Sequence, residues 1–131
     1  MHGKSSPVYY NEGGEDGLFA GLSNPFTAGR FHSLVIDKDT FPKDDLEITA
    51  LTEDGLIMAA RQKVYRHLQG VQFHPESIIT AEGKTIVCNF VKLTEKKKKQ
   101  KLKTRSSLII YNIVILPKIT NTKYVLFLCC N

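Results

Sequence analysis

A strand-rich α/β fold is what this 131-residue sequence predicts, and three stretches predict it. Around Phe73 the residues alternate: Val71 and Phe73 fall on one side of an extended chain, Gln72, His74 and Glu76 on the other. Two β-prone runs, 46–51 and 56–61, flank Glu53-Asp54-Gly55, the pattern of a hairpin. After Thr80, Ile86, Val87, Phe90 and Val91 recur at helical spacing and make one apolar stripe.

In chain order, residues 4–10 are β-prone and follow a His2-Gly3 turn, and 11–17 is a loop by its Gly and acidic content. Residues 18–22 form a short helical turn, and 26–36 read as one long strand through Arg30, Phe31 and His32. A Pro-containing acidic turn at 40–45 leads into the hairpin, and 65–68 leads into the strand of Phe73, expected over 70–73. Pro75 has no N–H for a ladder and a fixed φ, so that strand should end with His74 and Glu76 at its tip. Thr80 is placed to cap the helix that follows.

Charge divides the chain. Residues 1–91 hold eight Lys+Arg and twelve Asp+Glu, a net −4, whereas 92–131 hold ten and one, a net +9. The whole-chain excess of +5 is therefore a property of the tail, and it argues against a nucleic-acid-binding domain. The runs 108–116 and 124–128 are too short and too interrupted to span a bilayer, so no membrane segment is expected. They read as exposed β-prone segments, and their Lys, Asn, Ile, Tyr and Phe content fits translated non-coding sequence better than a tail for nucleic acid or anionic lipid. Cys88, Cys129 and Cys130 have no second Cys or His at ligand spacing, so neither a disulfide framework nor a metal site is expected, and no cofactor. The start lacks the apolar or Arg-rich amphipathic stretch of a targeting segment.

His74 and Glu76 are the residues most suited to chemistry. A carboxylate two positions beyond an imidazole on one face can accept its N–H, fix its tautomer and stabilise its protonated form, which is the base-and-orienter half of a nucleophilic triad. His32 reads as a satisfied, half-buried histidine. Glu53 and Asp54 read as turn residues with ordinary acidity, and Cys88 as a structural thiol, since no Gly-x-Cys-x-Gly surrounds it.

Gly70-Val71-Gln72-Phe73-His74-Pro75-Glu76-Ser77 resembles the His-x-Glu signature of class I glutamine amidotransferases, whose triad is Cys, His and Glu. Met1-His2-Gly3-Lys4-Ser5-Ser6-Pro7, Asn24-Pro25-Phe26-Thr27-Ala28-Gly29-Arg30-Phe31-His32-Ser33-Leu34-Val35, Thr52-Glu53-Asp54-Gly55-Leu56-Ile57-Met58 and Asn89-Phe90 are similar, in order and spacing, to the amidotransferase subunits of anthranilate synthases, the plant ones above all. The resemblance covers residues 1 to about 94 and implies the C-terminal half of a flavodoxin-like α/β sandwich, with 95–131 outside the core. It further implies a plastid location, a partnership with a chorismate-using large subunit, and hydrolysis of L-glutamine to supply ammonia for anthranilate on the route to tryptophan. By the same resemblance His74 and Glu76 are catalytic, and the backbone of Ser33 and Leu34 holds the glutamine. The family usually carries Tyr at Phe31, where loss of the hydroxyl removes a possible hydrogen bond but not the aromatic packing, and often Trp at Leu51, a change expected to affect packing only. Its cysteine nucleophile and oxyanion loop precede the part resembled here, so this chain alone should be inactive. The related subunit of the folate pathway, that of aminodeoxychorismate synthase, shares most of these motifs, and a catalytically dead interaction module is the remaining alternative.

Overall fold

The computed structural model describes residues 3–12 and 17–103, and of residues 97–103 the backbone alone. His2, the middle of the 11–17 loop, the runs 108–116 and 124–128, Cys129 and Cys130 lie outside the described residues.

Five strands form one antiparallel sheet in the order β2-β1-β3-β4-β5. They are β1 (Lys4–Tyr10), β2 (Phe26–Arg30), β3 (Leu46–Thr52), β4 (Ile57–Gln62) and β5 (Gln69–Val71). Among the described residues one helix, α1 (Gly83–Lys103), follows and runs without interruption past residue 94. The expected hairpin is β3–β4. Its turn puts Gly55 at φ +82°, a conformation open to glycine, and the Gly55 N–H donates to the Thr52 carbonyl at 2.9 Å. The Thr52 hydroxyl bonds the Asp54 carboxylate and accepts the Leu56 N–H, so the carboxylates do sit in a turn. Asp54 departs from ordinary acidity all the same: the Thr52 hydroxyl holds its carboxyl below the usual range.

One apolar cluster backs the sheet. Phe19, Phe26 and Phe73 are almost fully buried, with ring centroids 5.4 Å apart for Phe19–Phe26 and for Phe26–Phe73. Val8, Ala28, Met58 and Val71 join them from four strands, and Ile86 and Phe90 from α1. Asn89 pins the helix to the turn at 18–21, its amide donating to the carbonyls of Leu18 at 3.1 Å and Ala20 at 2.8 Å. On the sheet, Arg61 donates to Glu12 at 2.9 Å and to Glu47 at 2.5 Å. The Glu12 carboxylate is 1% exposed and also accepts the Phe19 N–H, which closes a loop that composition marks only as polar. The Arg61 hydrogen bond draws the Glu47 carboxyl below its ordinary value.

Four expectations need correction. The strand from Phe26 stops at Arg30, because β1 begins at its partner Lys4 and the next polar side chains make bonds of their own outside the ladder. Strand pairing in β5 ends at Val71, short of Phe73, although Phe73 keeps its core-facing side. Thr80 does not cap α1, since its hydroxyl is taken up by Gly29 and His74. The helix stripe is narrower than expected: Ile86 and Phe90 are buried, while Val87 and Val91 are 42% and 46% exposed.

Candidate active site

The segment after β5 leaves the ladder yet stays fixed. Gln72 N–H donates to the Met58 carbonyl at 2.8 Å and His74 N–H to the Gly29 carbonyl at 3.0 Å. Phe73 is driven inward by the core, and the period-2 geometry then puts Gln72 and His74 on the other side. His74 Nδ1 and Glu76 Oε1 meet at 2.7 Å, so the two carriers of chemistry expected at the strand tip are brought together. With a carboxylate as partner Nδ1 carries the proton, which makes Nε2 the basic nitrogen of the neutral ring. Burial, the largest single influence, pushes the Glu76 carboxyl up, but the His74 hydrogen bond, the Glu76 backbone N–H and the charge of the His74 ring together outweigh it, and the carboxyl sits below its ordinary value. The imidazole is mostly enclosed and the carboxylate 66% exposed. Phe31 meets the His74 ring edge-on, centroids 5.3 Å apart, so an aromatic side chain there does pack without a hydroxyl.

The backbone around His74 is held from three directions. The Thr80 hydroxyl donates to the His74 carbonyl at 2.6 Å and accepts the Gly29 N–H at 2.9 Å, and with the direct His74–Gly29 bond it ties the segment to β2. Gly29 lies so close to Ser77 and Ile79 that a Cβ would come within 3.2 Å of the Ser77 hydroxyl. Gly83, opening α1, lies against the Pro75 carbonyl, where a Cβ would have no room.

Ser33 and Leu34 are in the loop after β2, not in a strand, and both are exposed. The loop is nevertheless anchored to the His74 segment at both ends, through Phe31 on His74 and through Leu34 on Gln72. The Leu34 carbonyl accepts from the Gln72 amide at 2.6 Å and from His32 Nδ1 at 3.0 Å. His32 is satisfied as expected, its Nε2 accepting Arg30 Nε–H at 3.1 Å, while Arg30 also donates to the Ser6 hydroxyl. Gln72 and Thr80 escaped the sequence reading as site residues. The alternation about Phe73 could have marked Gln72, whereas nothing local marks Thr80. Cys88 is exposed on α1, and among the described residues no cluster of His, Cys, Asp or Glu is arranged to hold a metal. No helix among them is long and apolar enough to cross a membrane.

A family model, Glutamine amidotransferase class-I, matches residues 1–93, which include β1 to β5, the 31–34 loop and both members of the His74–Glu76 pair. The chain belongs to this family. Among amidotransferase relatives, it is 72% identical over 102 residues to anthranilate synthase beta subunit 1, chloroplastic, of Arabidopsis thaliana, covering 78% of this chain and 37% of that protein. The rice protein of the same name, from Oryza sativa subsp. japonica, is 68% identical over 101 residues, covering 77% and 35%. Anthranilate synthase component 2 of Pseudomonas putida is 50% identical over 99 residues, covering 72% and 48%. A solved structure from Thermoplasma acidophilum, described as a GMP synthase protein, superposes with a TM-score of 0.62 at 25% identity, over 77% of this chain and 49% of that one. The amidotransferase fold expected from the motifs is thus met, in a strand-rich part with an antiparallel sheet. The chain spans a little over a third of the length of the plant relatives it matches.

Proposed function

We propose that this chain provides the base-and-orienter half of a glutamine-hydrolysing site in the amidotransferase subunit of an anthranilate synthase. The observation that carries it is the 2.7 Å contact between His74 Nδ1 and Glu76 Oε1 on a clamped segment. His74 Nε2 takes the proton of a cysteine thiol, and the thiolate attacks the side-chain amide carbon of glutamine. The imidazolium, stabilised by Glu76, then returns the proton to the leaving nitrogen, releasing ammonia and a glutamyl thioester. Water, deprotonated by the same Nε2, attacks the thioester and frees glutamate with the thiolate. The Ser33–Leu34 backbone holds the amino-acid end of glutamine, and the ammonia passes to a large subunit that uses chorismate. The 131 residues contain no Gly-x-Cys-x-Gly, so the thiol is supplied by polypeptide outside them and this chain alone releases no glutamate. The names of the plant relatives support a plastid location and the anthranilate branch over the folate one. The missing elbow also favours a second reading, a catalytically silent module that keeps the partner-binding surface.

The test is glutamine-dependent anthranilate formation from chorismate, with an anthranilate synthase large subunit, this chain and an amidotransferase N-terminal half that carries the Cys elbow. Anthranilate should form only when all three are present. Binding of the large subunit without any glutamine-dependent product would support the silent module instead.

A further inference from the structure

The Leu34 carbonyl has both lone pairs engaged, by the Gln72 amide at 2.6 Å and by the His32 ring at 3.0 Å. It is an anchor point of its loop and not a contact for substrate. Behind it a polar chain runs inward: Arg30, 3% exposed, donates to His32 Nε2 and to Ser6 on β1. Because the Arg30 Nε–H needs an acceptor at Nε2, the proton of the neutral His32 ring is placed on Nδ1, where it reaches Leu34. Gln72 approaches the same carbonyl from the other side, from a position two residues before His74. Its Oε1 is buried with no hydrogen-bond partner among the described residues, an arrangement that disfavours stability by about 1–3 kcal/mol.

We propose that Gln72 and His32 are positioning residues that fix the backbone of Ser33 and Leu34, through the Leu34 carbonyl, at a set distance from His74. Resting on the amidotransferase reading above, this assigns them to binding of the α-amino acid end of glutamine and not to proton transfer. Loss of the Gln72 donor releases one end of the loop while Phe31 still packs on His74, so the base keeps its place and the substrate cradle does not. Such a change weakens ground-state and transition-state binding alike and raises KM with kcat nearly intact.

The experiment uses Gln72→Glu, which keeps the size of the side chain and removes its N–H donors, alongside Gln72→Ala. In the full 131-residue chain, backbone ¹⁵N order parameters at residues 33–35 should fall from near 0.85 to below about 0.6 in both variants, with the β3–β4 hairpin unchanged. Order parameters at 33–35 that stay as in the parent, or that fall equally in the hairpin, overturn the proposal. In the complemented enzyme, KM for glutamine should rise about tenfold with kcat within about twofold. A fall in kcat at unchanged KM overturns it as well. If the complemented enzyme released no glutamate at all, the amidotransferase reading would fail while the order parameters still decided whether Gln72 anchors the loop.

Discussion

The β3–β4 hairpin and the segment from Gln72 to Gly83 are held in opposite ways. The hairpin is built from neighbours in sequence: paired backbone groups and a turn closed by Thr52, Gly55 and Leu56. The segment has almost no ladder. Its position comes from distant residues, Gly29 on β2 and the opening turn of α1, and from Thr80 bridging back to His74. A local element tolerates local change, because each small contact is one of many alike. A segment fixed by a few close contacts should respond sharply to each of them, and this is where the molecule places its histidine and carboxylate.

Substitutions in the two regions put that contrast to the test. The largest effect is expected for Gly83→Ala: the added methyl would sit 1.8 Å from the Pro75 carbonyl, backbone against backbone, and stability to urea should fall by about 3 kcal/mol. Thr80→Val should cost about 2 kcal/mol, since it strands the buried Gly29 N–H and removes the donor to the His74 carbonyl, whereas Thr80→Ser should recover most of it. Gly55→Ala at the hairpin turn should be the mildest, about 1 kcal/mol, because it asks an alanine to adopt φ +82° beside nothing more rigid than the end of Lys38. A Gly55→Ala loss exceeding that of Gly83→Ala would remove the distinction between the two regions.

The same division explains what could be read from the sequence. The hairpin follows from two β-prone runs about one Asp-Gly, β1 from β-prone residues after a turn, and the core side of Val71 and Phe73 from alternation, all local signals. The pairing of His74 with Glu76 was legible from their two-residue offset, although the contact forms where the chain turns at Pro75-Glu76, the Ser77 N–H donating to the His74 carbonyl at 3.2 Å, and not along an extended strand. Residues 26–36 misled because Phe31, Leu34, Val35 and Ile36 look β-prone, while the structure ends β2 where Arg30 and His32 turn to each other. Thr80 misled similarly: a hydroxyl before a helix suggests a cap, but its partners, Gly29 and His74, are 51 and 6 residues away. Glu82, just before α1, spends its carboxylate on Ser23 and not on the helix end. On α1, the helical period located the apolar positions, yet burial of Ile86 and Phe90 without Val87 and Val91 depends on which face meets the sheet. Pattern thus located the elements and the pair, and long-range polar contacts decided how the loops around the pair are held.

The most direct measurement is glutamate release from glutamine by this chain combined with an amidotransferase N-terminal half that carries the Cys elbow. The account predicts no release by the chain alone, release on combination, and a loss of about 10⁴-fold or more on His74→Ala, because members of such a triad act as a unit. Release that survives His74→Ala in the combined enzyme, or that the chain sustains alone, would contradict it.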